Sequence, residues 1–179
     1  GNRLAYAMNV PDDGPKLGSA PAKPEGANWA KPLEIIDKIT YRADGAGYLK
    51  PGFDHIFIVD ANGGAPQQLT FGAFRDGAPH WERGGQSILF SAVRKPDWEM
   101  IANDSEVYRV SLSGGEPQAL TSRKGPDDNP RPSPDGRSIA YLGYDDDLRG
   151  YQQGDLYVMD SGGGGARKIA PGLDRSIND

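Results

Sequence analysis

Apolar and polar residues alternate along this chain in short runs. Ser138 to Gly143 (SIAYLG) and Asp155 to Asp160 (DLYVMD) carry aromatic and β-branched residues in the pattern of a pleated, half-buried surface, which predicts strands. Two weaker strands flank them: Asn129 to Arg131, before the Pro134-Asp135-Gly136 turn, and Arg167 to Ile169, after the glycines at Gly162 to Gly165. Proline presets φ at the first corner of a turn, and Asp-Gly supplies the positive φ that reverses a strand. Pro-Asp-Gly and its counterpart Gly84-Gly85 are therefore predicted hairpin turns, as are Asn62-Gly63-Gly64 and Ser113-Gly114-Gly115. This makes a unit of four antiparallel strands.

The unit recurs. A shift of 51 residues lays HIFIVDANGGAPQQLT, from His55, on EVYRVSLSGGEPQALT, from Glu106, and a further shift of 49 brings in DLYVMDSGGGGARKIA from Asp155. The same 51-residue shift lays Ala78 onward on Asn129 onward. Four-stranded units at a spacing of about 50 residues are the mark of a β-propeller blade, so the expected fold is all-β: an incomplete propeller of about three blades. The blade pieces fall at about 1–70, 78–121 and 129–170. Asn2 to Met8 matches the strand that follows the Pro-Asp-Gly turn, and Ile177 to Asp179 stands where another unit's first strand begins. Both ends thus fall inside a repeat, and the expectation is a piece of a larger protein. Unpaired blade edges predict self-association.

Three connections are not tight turns. Asn9 to Pro32 (excursion 9–32) is rich in Pro, Gly, Ala and Lys and carries no core. Leu33 to Arg42 (LEIIDKITYR) returns to alternation and predicts an extra strand, with Ala43 to Gly47 as its turn. Val93 to Ser105 and Tyr144 to Gly154 are loops between second and third strands, which gather at one face of a propeller, where binding is usual.

Composition narrows the chemistry. The chain holds 25 glycines and 15 prolines among 179 residues, which leaves little room for long helices. Cysteine is absent, which removes disulfides, thiolate metal sites and thiol nucleophiles. The net charge of -5, with basic residues scattered among acidic ones, gives no stripe for a nucleic acid, and the apolar runs are too short for a spanning helix. Neither nucleic acid nor membrane is an expected partner. Cysteine absence leaves both the cytoplasm, the expected compartment, and the periplasm open.

No reactive constellation stands out. Gly-x-Ser-x-Gly is missing, and Ser113 and Ser161 occupy hairpin turns. His55 and His80 lie far apart in sequence without a second imidazole at helical spacing, and Glu106 and Arg131 replace them in the next unit. They read as strand residues. Asp145-Asp146-Asp147 with Asp155 offers hard oxygen ligands but not the order of a calcium loop, and reads as a solvated loop. Gly162 to Gly165 has no following Lys-Ser/Thr and reads as a hairpin rather than a phosphate cradle. Trp81 is expected between blades, Trp98 as a loop anchor or a group facing the pore or a partner domain, and Trp29 as a staple for the excursion. No catalytic, cofactor-binding or metal residue is therefore assigned.

ITYRADGAGYLKPGFDHIFIVD at Ile39 to Asp60, with the following GGAPQQLT, resembles the propeller of the prolyl oligopeptidase family, in particular its acylaminoacyl-peptidase and dipeptidyl-aminopeptidase-like branch. GGEPQALT from Gly114, SPDGRSIAYLG from Ser133 and LDRSIND from Leu173 resemble later parts of it. SPDG with GGxxxxLT is also found in Tol-system propellers. YRADGAG before HIFIVD, and LDRSIND, are more selective. Arg131-Pro132 departs from the family's usual Trp before Ser-Pro-Asp-Gly. The resemblance implies a serine peptidase whose propeller covers a C-terminal α/β-hydrolase domain, absent here, that holds the catalytic triad. No triad residue carries over onto these positions. The implied role is non-catalytic: a lid that admits short peptides to the hydrolase domain. The alternative is a Tol-like scaffold that docks protein partners without an attached enzyme.

Overall fold

The computed structural model describes residues 1–12, 14, 18–19, 21–30, 35–101 and 103–177. Its strands are β1 (Arg3–Val10), β2 (Arg42–Ala43), β3 (Gly47–Tyr48), β4 (Phe53–Asp60), β5 (Gln67–Gln68), β6 (Asp76–Trp81), β7 (Ser87–Ala92), β8 (Glu106–Ser111), β9 (Gln118–Ala119), β10 (Asp127–Pro132), β11 (Ser138–Gly143), β12 (Asp155–Asp160) and β13 (Arg167–Lys168). They form a three-stranded sheet β1-β4-β5, two four-stranded sheets β6-β7-β8-β9 and β10-β11-β12-β13, and the small pair β2-β3. Every pairing is antiparallel. The described residues thus make two full blades and three strands of another, the all-β propeller pattern that the repeat predicts.

The same internal joint holds each blade. Second and third strands stack an aromatic pair across the ladder: Tyr6 on Phe57, Phe90 on Tyr108 and Tyr141 on Tyr157, with centroids 5.9, 5.6 and 5.4 Å apart. Stacked pairs of this kind add roughly 0.5–1.5 kcal/mol beyond the area they bury. In the first two blades, a threonine two residues past the fourth strand is a second joint. Thr70 and Thr121 take the backbone N–H of Ile56 and Val107 on their hydroxyl oxygens, each at 2.9 Å.

Blades pack face to face. Ile56, Ile58 and Leu69 of the first meet Ile88, Phe90, Tyr108 and Val110 of the second, with Trp81 partly buried against them. On the other side of the second blade, Leu89, Val107 and Leu120 meet Ile139, Tyr141, Tyr157 and Met159 of the third. The second blade is covered on both faces, so β7 is a nearly continuous buried run, while β11 alternates buried and half-buried positions. The inner strands complete the packing: β10 lies against β6, β7 and β8, and β6 against β1 and β4.

The extra strand expected at Leu33 to Arg42 is not there. Leu33 and Glu34 lie outside the described residues, Ile35 to Tyr41 are irregular, and only Arg42 of the segment enters a strand. The turn at Ala43 to Gly47 does form, pairing Arg42 with Tyr48. The alternation is that of a strand, but Ile35, Ile36 and Ile39 are exposed, so no sheet face rewards it. The strand β1 also runs on through Asn9 and Val10, two residues into the expected excursion. Trp29 at the end of that excursion is half exposed and is not a buried staple.

Candidate functional site

Second-to-third-strand loops and the connections between blades meet at one face. There each inner strand starts on a buried aspartate, Asp76 in β6 and Asp127 in β10, related by the 51-residue repeat. Asp76 is held by Arg94 through two contacts, Nε to Oδ1 at 2.9 Å and Nη2 to Oδ2 at 3.0 Å, and the same Nη2 donates to the Phe71 carbonyl. His55 Nδ1 stands 3.3 Å from Asp76 Oδ2, so the first blade joins the clamp. Asp127 is held instead by Arg123, from the connection before its own strand, through Nη2 alone. The Arg123 guanidinium lies 4.0 Å over the Tyr157 ring. Burial drives the Asp127 carboxyl up to about 6 although Arg123 pulls it down, and burial and Asp127 together push the Tyr141 phenol up to about 12.

Third strands also carry a buried polar group at one repeat position: His55, the third residue of β4, and Glu106 and Asp155, the first residues of β8 and β12. Lys95 Nζ bridges Asp104 at 2.5 Å and Glu106 at 2.9 Å, and Thr121 donates to Glu106 at 2.7 Å. Burial works against the Lys95 charge, but these carboxylates outweigh it and hold the ammonium above its ordinary range. Lys168 meets Asp155 at 2.6 Å, and that hydrogen bond raises its pKa.

Between the inner strands of the second and third blades, this face opens into a cleft of about 460 Å³. Its polar wall includes Asp54, Arg75, Ser105 and Asp128. Arg75 Nη1 is 4.0 Å from Asp54, and Ser105 donates to Asp128 at 2.9 Å. Both inner strands bulge into the cleft at equivalent places, with Ala78 at φ 51° and Asn129 at φ 54° breaking the register between Gly77 and His80 and between Asp128 and Arg131. Such a bulge turns backbone groups out of the ladder and toward the opening. The rest of its lining includes Gly77, Ala78, Ala92 and Val93.

Of the residues singled out in the sequence, His55 joins the Asp76 clamp and Asp155 meets Lys168, and the others have separate roles. Ser113 exchanges a hydroxyl contact with Ser111 in its turn, and the Ser161 carbonyl accepts from Arg109. His80 faces Arg131, its own counterpart in the next blade, and burial together with that cation lowers its pKa. The aspartates of the 145–147 run are separately engaged: Asp145 with Arg123, Asp146 with Gln152 and the Leu148 amide, Asp147 with Arg149. Among the described residues no group of three or more His, Asp or Glu side chains is placed to hold a metal ion. The glycine run from Gly162 forms the β12–β13 turn. Trp98 packs edge-on against Phe53 at 6.3 Å, anchoring its loop to the first blade. Sequence reasoning missed the two clamps, although the shift that aligns Ala78 with Asn129 carries Asp76 onto Asp127.

The model of the family described as the dipeptidyl peptidase IV N-terminal region matches residues 45–139, more than half of the chain. Dipeptidyl-peptidase 5 of Porphyromonas gingivalis is 28% identical over 105 residues, covering 55% of this chain and 15% of that protein. An uncharacterized protein of Agrobacterium fabrum is 27% identical over 118 residues, covering 64% of this chain and 38% of its own. The chain therefore spans well under half the length of these curated relatives. Among solved structures, TolB from Acinetobacter baumannii matches with a TM-score of 0.56 at 21% identity, over 70% of this chain and 28% of that one. A candidate TolB from Agrobacterium tumefaciens matches at 0.54 and 24%, over 64% and 40%. These two share the propeller fold, and the chain belongs to the dipeptidyl peptidase IV N-terminal region family.

Proposed function

We propose that this segment is the access-controlling propeller of a serine-type peptidase, admitting short or extended peptides to an α/β-hydrolase domain of the same protein and excluding folded ones. The family match over residues 45–139 carries the reading, and the dipeptidyl-peptidase relative supports it. The work of such a propeller is steric. A ring of rigid blades sets the width of the way in, and polar groups at its mouth receive an unfolded backbone without chemistry of their own. The clamps at Asp76 and Asp127 serve this role by fixing the inner strands that would line the passage.

The test is the protein expressed from its complete gene. It is expected to react with a serine-directed fluorophosphonate, to cleave chromogenic short-peptide substrates and to leave a folded protein intact, while residues 1–179 alone give no turnover. A complete protein that takes no label and cleaves no peptide overturns the reading in favour of a docking propeller.

A further inference from the structure

Going beyond the gating role, a pocket on the loop side of the first blade collects charge that the fold does not use. It measures about 100 Å³ and lies between the β2–β3 hairpin, the segment before it and the approach to β4. Lys38, Lys50 and Arg75 line it against a single acid, Asp37, in a chain whose net charge is -5. Among the described residues neither lysine forms an ion pair, and Lys38 Nζ instead sits 4.7 Å over the Phe53 ring. Arg75 is the least satisfied of the three. Among the described residues the one carboxylate within 4.0 Å of it is Asp54, past hydrogen-bond distance, and its buried Nε has no partner. A buried donor without a partner costs free energy, and the planar donors of a guanidinium match the two oxygens of a carboxylate. The repeat does not ask for this residue, since Pro126 stands at its counterpart.

Much of the remaining wall is apolar. Ile35, Ile36, Tyr41 and Tyr48 border the pocket and are 68%, 50%, 43% and 60% exposed. The two tyrosine rings lie 6.1 Å apart on the hairpin. An inorganic anion would use the cations and leave these side chains in water, whereas a carboxylate beside an apolar group uses both. Arg75 also lines the cleft of about 460 Å³, so the two spaces share one guanidinium and a chain lying in the cleft reaches the pocket with its end. We propose that this pocket holds the free C-terminus of a short peptide. The carboxylate lies on Arg75 with Lys38 and Lys50 alongside, the last side chain is apolar and packs on Tyr41, Tyr48 and the isoleucines, and the preceding residues occupy the cleft. The choice of a peptide as the carrier rests on the gating role, while the pairing of carboxylate with apolar group does not.

The test uses the protein expressed from its complete gene, treated first with the serine-directed fluorophosphonate so that no peptide is consumed, and titrated by calorimetry. Ala-Ala-Leu with a free carboxylate is expected to bind at least about tenfold more tightly than its C-terminal amide, because hydrogen bonds between charged groups are the strong ones. It should also bind more tightly than Ala-Ala-Asp, N-acetyl-leucine and inorganic phosphate. Arg75→Gln should bring acid and amide within about threefold of each other. Its unfolding midpoint should hold, since this guanidinium makes no hydrogen bond among the described residues. Lys50→Gln, on an exposed side chain, is the second variant and should lower the acid preference about threefold. Tyr48→Ser should weaken acid and amide alike and leave their ratio in place. Equal binding of acid and amide, an acid preference that survives both charge variants, or N-acetyl-leucine or phosphate binding as tightly as the tripeptide overturns the proposal. A protein that takes no fluorophosphonate label yet prefers acid to amide through Arg75 sustains it while overturning the gating role.

Discussion

The second and third blades solve one electrostatic problem in two ways. Each buries an aspartate at the head of its inner strand, but the second neutralises Asp76 with Arg94, from the loop after β7, and the third neutralises Asp127 with Arg123, from the connection before β10. The repeat puts Asp145 at the counterpart of Arg94 and Gly72 at that of Arg123, so each blade carries only one of the two cations. Ala92 in the second blade is replaced by Gly143 in the third, where a Cβ would stand 2.3 Å from the Pro126 carbonyl and 2.4 Å from Arg123 Nη2. Arg123 occupies the room that the missing methyl leaves. The repeat fixes where the acid sits, each blade's own sequence supplies the partner, and local packing makes room for it.

Removing a cation is the strongest way to break the parallel. Arg94→Ala leaves Asp76 buried, and such uncompensated charges cost about 3–5 kcal/mol, read as a lowered urea midpoint. Arg123→Ala should cost less, because Arg123 makes one contact to its acid and is more exposed than Arg94. Acidity distinguishes the third blade next. The folded pKa of Asp127, about 6, lies above the unfolded value of roughly 3.9, so the ionised form is the disfavoured one in the fold. Stability from this group is complete below about pH 4 and is lost as pH rises through 6, a fall of at most about 3 kcal/mol. Unfolding midpoints between pH 4 and 7.5 should show that slope in the native protein and a flatter one in Asp127→Asn. Gly143→Ala restores the residue of the second blade and should displace Arg123, costing about 2 kcal/mol as overpacked sites do, while a crystal structure of the variant should show the guanidinium moved off Tyr157. The smallest expected effect concerns the bulges. Ala78 holds a left-handed conformation that asparagine tolerates better, so Ala78→Asn should raise stability by about 0.5–1 kcal/mol by thermal unfolding.

The strands and hairpins were legible because they are written repeatedly: Pro-Asp-Gly, the paired glycines and the aromatic of each second strand recur at fixed spacing, and β11 and β12 begin and end where their pattern does. Leu33 to Arg42 carries the same alternation without a partner, and local pattern alone cannot supply a neighbouring strand. The bulges at Ala78 and Asn129 were invisible because neither residue is a glycine that would advertise positive φ. The clamps escaped because a pair such as Asp76 and Arg94 is made by a loop folding back, and its two members share no spacing with Asp127 and Arg123. The cleft was not written in a motif at all, since its wall gathers residues from β4, β6, β7 and β10 and the segments between them.

Among the described residues, three side-chain-to-backbone hydrogen bonds cross the blade boundaries at the far end, and these three run one way. Gln67 donates to the Leu112 carbonyl, Arg83 to that of Asp135 and Arg109 to that of Ser161, each a side chain of one blade reaching a main-chain oxygen in a turn of the following one. Because the acceptor is backbone, it asks almost nothing of the neighbour's sequence. A gene that duplicates or drops one such module keeps every remaining fastening, so the number of modules can change over evolution while the rule joining them stays fixed.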